Sequence, residues 1–83
     1  MLFVTGFTQT GTTASGLPAG PGVAACPPDW PLGTRIVVEG YGPATCLDRY
    51  APYLSRRVDL WTPTAQQAFA LTGWREVALA DNN

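Results

Sequence analysis

The stretch PPDWPLG (27–33) carries three prolines and must be a turn. Two further stops limit the chain in the same way. QTGTTASGLPAGPG (9–22) is rich in Gly, Thr and Pro and has no apolar period. It reads as an ordered loop, because strand material lies on both sides. GYGP (40–43) reads as a tight turn. Only short runs fit between these stops, and most of them favour extended backbone. LFVTGFT (2–8) is rich in β-branched and aromatic residues and predicts a strand. GVAAC (22–26) is nearly all apolar, the pattern of a strand buried on both faces. TRIVVE (34–39) alternates, with Ile36 and Val38 on one face and Arg35, Val37 and Glu39 on the other. ATCLD (44–48) pairs back on it as a hairpin. RYAPYL (49–54) reads as a loop, RRVDLW (56–61) as a strand and WREVALA (74–80) as the closing strand.

One segment changes period. In TPTAQQAFALTG (62–73), Ala65, Ala68, Phe69 and Thr72 fall on one helical stripe. Thr62 before Pro63 predicts one helix start, and Thr64 with Gln67 a competing capping box. Gly73 suits the C-terminal end. The sum is six short strands and one short helix in a single domain spanning 1–83. A small closed β-barrel is the natural architecture, because closure removes exposed edges.

Composition narrows function. Charged residues make up 13%, about half the usual share, and the net charge is −1. All five basic residues are arginine. This excludes the dense basic surface of a non-specific nucleic-acid binder and a polybasic membrane anchor. No apolar run reaches the length of a membrane span, so no membrane insertion is expected. The opening MLFVTG lacks the basic and long apolar regions of a signal peptide. Export would therefore depend on a part outside this chain or on another route. With no histidine, Ser-His and Cys-His nucleophile pairs and a usual four-ligand zinc site are excluded. Any catalysis rests on carboxylates, and no metal or organic cofactor is implied.

The ordered motifs resemble a known family. Phe7 ends a strand and Thr13-Ala14-Ser15-Gly16 follows. Then come Gly22 to Ala25, the turn Pro31 to Thr34, and the hairpin Val38 to Gly42. Asp48 is followed 11 residues later by Asp59, set between Val58 and Leu60. A short helix and a final strand close the order, which covers nearly the whole chain. The set resembles the three-aspartate (3D) domain of bacterial cell-wall proteins. That resemblance implies a six-stranded double-psi β-barrel and kinship with lytic transglycosylases of the membrane-bound A type and spore and resuscitation-type wall hydrolases. It implies Asp59 as catalytic acid/base, Asp48 as its partner, and a peptidoglycan glycan strand as substrate. The bond cut would be the β-1,4 link from N-acetylmuramic acid to N-acetylglucosamine, leaving a 1,6-anhydro ring.

Two departures stand out. The family's first aspartate is replaced by Cys26, with Asp29 three residues on. The usual Thr-Gly-Gly and Ile-Lys-Gly after the second aspartate are absent from Arg49 to Ser55. Two function classes therefore stay open: an enzyme, or a binding or structural module that kept the barrel without the chemistry.

The residues themselves supply further candidates, each beside a plainer role. Asp48 and Asp59 could instead cap loops by accepting backbone N–H bonds. Burial and the charge of Asp48 would raise the pKa of Asp59, and Arg57 would lower it. Trp30, Tyr41, Tyr50, Tyr53, Trp61 and Trp74 could stack on sugars or simply pack. Tyr50 and Tyr53 lie between the aspartates and are the better sugar contacts; Trp74 reads as packing. Thr13 and Ser15 could offer hydroxyls to the same cleft or only make a turn. Arg49 and Arg56 could meet a muramyl or peptide carboxylate or stay solvated. Cys26 and Cys46 sit at strand ends. A disulfide closing that loop would stabilise by roughly 3 kcal/mol. The alternative is two buried thiols. The disulfide would imply an oxidising, extracellular or wall-facing location.

Overall fold

The computed structural model describes residues 1–49 and 57–80. They form strands β1 (Leu2–Phe7), β2 (Val23–Cys26), β3 (Arg35–Val38), β4 (Gly42–Arg49) and β5 (Arg57–Trp61). Helix α1 (Ala65–Leu71) and strands β6 (Gly73–Arg75) and β7 (Val77–Leu79) follow. The seven strands make one sheet in the order β6-β1-β5-β2-β4-β3-β7. The closing run expected at 74–80 is thus two strands, not one. Its first half pairs with β1 and its second half with β3. The break falls at Glu76, whose N–H donates to Glu39 Oε1 at 3.1 Å. Two consecutive strands on the two edges of one sheet wrap it into a nearly closed barrel.

The inside of the barrel follows the alternation of the sequence. Ile36 and Val38 are buried while Arg35 and Val37 are exposed. Val58 and Leu60 are buried on β5, and all four residues of β2 are buried. Val4, Ala24, Ala44 and the two cysteines complete the core. The expected hairpin is present, with Ile36 opposite Ala44 and Val38 opposite Gly42. β4 is longer than expected, because Gly42 and Pro43 of the predicted turn already pair with β3. Two pairs run parallel, β1 with β5 and β2 with β4.

The helix begins at the second of its two expected starts. The Thr64 side chain accepts from the Gln67 N–H, so Thr64 is the N-cap. Thr62 lies outside the helix and is buried, with its N–H on Phe7 O at 2.8 Å. Of the predicted stripe only Ala68 faces the barrel. Phe69 is 81% exposed, and Ala65 and Thr72 are exposed with it. The helix approaches the barrel through Ala68 and Leu71. Gly6 makes this possible, because a Cβ there would stand 2.7 Å from both Cα and Cβ of Ala68. Arg75 ties the helix end to the β3–β4 turn by donating to Leu71 O, Ala70 O and Glu39 O.

Cys26 and Cys46 form a disulfide between β2 and β4, with Cα atoms 5.6 Å apart. Its loop of about 20 residues accounts for roughly 3 kcal/mol by constraining the unfolded chain.

Two outcomes follow for stability. Cys26→Ala with Cys46→Ala is expected to cost about 2–4 kcal/mol in urea denaturation, against the disulfide-bonded parent. Gly6→Ala is expected to cost about 1–3 kcal/mol, because α1 must lift off β1. The matching change at the open Gly20, where a Cβ meets nothing within 4 Å, serves as the control.

Candidate functional site

The sheet aligns four residues across four neighbouring strands. Thr5 lies opposite Asp59 on β1 and β5. Asp59 lies opposite Ala25 on β5 and β2, and Ala25 opposite Asp48 on β2 and β4. The two aspartates therefore flank Ala25, two strand spacings or roughly 10 Å apart at Cα. They share a cleft of about 360 Å³ with Ala25, Arg49, Phe7, Thr13 and the loop backbone around Gly11.

Asp48 reaches this cleft through a break in the β2–β4 register. Ala24 pairs with Cys46, but Ala25 pairs with Asp48, so Leu47 is an extra residue. Strict alternation would put residue 48 on the same face as the buried Ala44 and Cys46. The bulge turns it outward beside Ala25. Its Oδ1 accepts the N–H of Ala14 at 3.0 Å and of Arg49 at 2.9 Å. Asp48 is thus a loop anchor as well as a cleft carboxylate.

Asp59 has a different environment. Its neighbours Val58 and Leu60 point into the core, and its side chain is 18% exposed. Thr5 Oγ1 donates to its Oδ1, and Arg57 Nε lies 3.5 Å from the same oxygen. Burial raises its pKa above 3.8, and the Arg57 guanidinium partly offsets this. The charge of Asp48, expected to add to the rise, is not among the causes.

The other expected residues divide. Thr13 lines the cleft but is buried, and its hydroxyl donates to Leu17 O at 2.7 Å. Ser15 Oγ sits 2.8 Å from Thr13 Oγ1 and accepts from Leu17 N–H, so it belongs to the turn rather than the cleft lining. Tyr50, Tyr53 and Arg56 lie outside the described residues. Arg49 lines the cleft, and its guanidinium donates to Trp30 O at 2.7 Å and Pro27 O at 3.3 Å. Trp74 packs edge-on against Phe3, with 68% of its surface exposed. Trp61 and Tyr41 line a second, more apolar hollow of about 560 Å³ with Pro63 and Leu71.

Sequence reasoning missed the hydroxyl of Thr5 and the wall formed by Gln9 to Thr12. The loop that carries it, residues 9–22, is tied down along its length. Trp61 Nε1 donates to Gln9 O, and Ser15 N–H to the bulge carbonyl of Leu47. At the far end, Tyr41 Oη accepts the Gly22 N–H and donates to Trp61 O.

No family model matches the chain, and no solved structure matches it. A cell wall-binding protein of Bacillus subtilis (strain 168), YocH, is 32% identical over 65 residues. The match takes in 78% of this chain, and the chain spans only 23% of that relative's length.

The raised pKa of Asp59 gives a stability test with a definite sign. A group whose pKa is higher when folded contributes its stability fully below its unfolded value, here 3.8, and loses it as pH rises through the folded value. Asp59→Asn, which keeps an acceptor for Thr5, is therefore expected to melt above the parent at pH 7. At pH 3, where both side chains are neutral, the two melting temperatures are expected to converge.

Proposed function

We propose that this chain is a single peptidoglycan-active domain of the three-aspartate type, cleaving the glycan strand as a lytic transglycosylase. The observation that carries this reading is Asp59: a carboxyl group with its pKa raised by burial, lining a solvent-open cleft with a second carboxylate. The parallel pairs β1–β5 and β2–β4 and the near closure of the sheet support a double-psi barrel. The wall-binding relative supports peptidoglycan as the partner and a wall-facing location, as does the disulfide.

In this mechanism Asp59 starts protonated. It gives its proton to the glycosidic oxygen as the bond to the muramic anomeric carbon breaks. The resulting carboxylate then takes the proton of the muramic C6 hydroxyl as that oxygen bonds to the anomeric carbon. The 1,6-anhydro ring forms, no water is consumed, and Asp59 is again protonated. Asp48, across Ala25, supplies negative charge against the positive charge that develops at the anomeric carbon. Thr13, which lines the cleft, is the proposed sugar contact among the described residues, with Tyr50 and Tyr53 beyond them; Ser15 supports Thr13 from the turn.

A second reading has its own support. A non-catalytic binding or structural module, part of a longer wall or phage protein, fits the wall-binding name of the relative and the Arg57 partner of Asp59.

Incubation with purified peptidoglycan and mass spectrometry of the soluble fragments separates the two. The transglycosylase is expected to release anhydro-muropeptides, with Asp59→Asn at least about 100-fold slower. Its rate is expected to fall as rising pH ionises Asp59. Protein that pellets with the wall and releases nothing establishes the binding module instead.

A further inference from the structure

Both cysteines are buried, and the disulfide lies on the core face, opposite the cleft. It bridges the one irregular point of the β2–β4 ladder. Cys46 pairs with Ala24 on one side of the bulge, and Cys26 pairs with Arg49 on the other. The sulfur bridge thus spans the extra residue Leu47. Beyond the bulge the β2–β4 ladder has only two pairs left, Ala25 with Asp48 and Cys26 with Arg49, while Ala25 also pairs with Asp59 of β5. Both contribute to the cleft floor or its rim.

We infer that Cys26 and Cys46 are positioning residues for the cleft: their disulfide pins the bulge that turns Asp48 outward, so the Asp48–Ala25–Asp59 row is complete only in the oxidised chain. The physical argument has two parts. A bulge leaves its extra residue out of the ladder and weakens the ladder locally, here with Leu47 O turned instead to the Ser15 N–H of the loop. The regular register that would repair the ladder places Asp48 on the core face beside Ala44 and Cys46, where an ionised carboxylate has no water. Slippage is closed off, so the end of the ladder without its covalent bridge detaches instead of re-registering. The Arg49 bonds to Pro27 O and Trp30 O belong to that same end and are lost with it. Asp48 then leaves Ala25 and releases the Ala14 N–H. Asp59 keeps its place, because β5 is held by β1 along five pairs.

This concerns placement alone and is independent of whether the cleft cuts glycan or only binds it. The test is cross-strand NMR contacts in four chains: the parent, the Cys26→Ala/Cys46→Ala variant, a chain lacking Leu47, and that deletion with both alanines. Without Leu47, Asp48 follows Cys46 directly and faces the cleft by alternation, so no pin is needed. The expected result is loss of the Ala25–Asp48 and Ala14–Asp48 contacts in the cysteine-free parent, with the Val23–Thr45 and Thr5–Asp59 contacts kept. The cysteine-free deletion chain is expected to retain Ala25–Asp48. Retention of both Asp48 contacts in the cysteine-free parent overturns the inference, as does their loss in the cysteine-free deletion chain. Should the cysteine-free parent not fold, a folded cysteine-free deletion chain supports the inference and an unfolded one overturns it.

Discussion

Strand β2 is four residues long, buried along its whole length, and lies between β5 and β4. Its two alanines set what the surrounding strands can do. Ala24 faces the core with Cys26, and Ala25 faces the cleft with the aspartates on either side. A larger residue at 25 would fill the floor between Asp59 and Asp48. The buried strand costs little side-chain entropy to order, since alanine has none to lose. Its pairing therefore holds together both the core beneath and the polar row above.

Barrel closure depends on a second local feature. The run from Gly73 to Leu79 serves both edges of the sheet by breaking at Glu76. Neither half is more than three residues long, and each finds a partner strand. Edges left by β1 and β3 are thereby covered, and the outer strands that remain are only three residues long, which blunts them as templates for pairing with another chain. Arg75, at the end of the first half, joins the helix carbonyls to the β3–β4 turn and fixes where the break falls.

Much of this was legible in the residues. The alternation at 34–39, the all-apolar 22–26 and the Thr64–Gln67 cap each reflect local rules that the fold obeys. The cysteine pairing was legible too, as a choice between two states. Other features were not. Regular alternation from Ala44 and Cys46 would turn Asp48 into the core, so the bulge appears only when the buried Cys46 and the cleft carboxylate are reconciled, and the sequence does not mark where the extra residue falls. The split at Glu76 depends on which partners lie at the two edges, a non-local fact. The helical stripe misled because Phe69 is the largest apolar residue on α1, yet close approach to Gly6 requires the small Ala68 at the contact. Of the site, Asp48, Asp59 and Thr13 line one cleft, and the Thr5 hydroxyl reaches Asp59 from 54 residues away in sequence.

The wall of the cleft is a loop with almost no apolar packing of its own, yet it is hydrogen-bonded at Gln9, Ala14, Ser15 and Gly22 to three different parts of the barrel: β5, β4 and the β3–β4 turn. Its conformational freedom is therefore given up when the chain folds and not when a ligand arrives. Ordering a flexible loop on binding subtracts directly from affinity, by about 0.5–1.5 kcal/mol for each mobile side chain that must be fixed. A ligand entering between the two aspartates would meet a wall already ordered, and that part of the association cost would not be subtracted from its contacts.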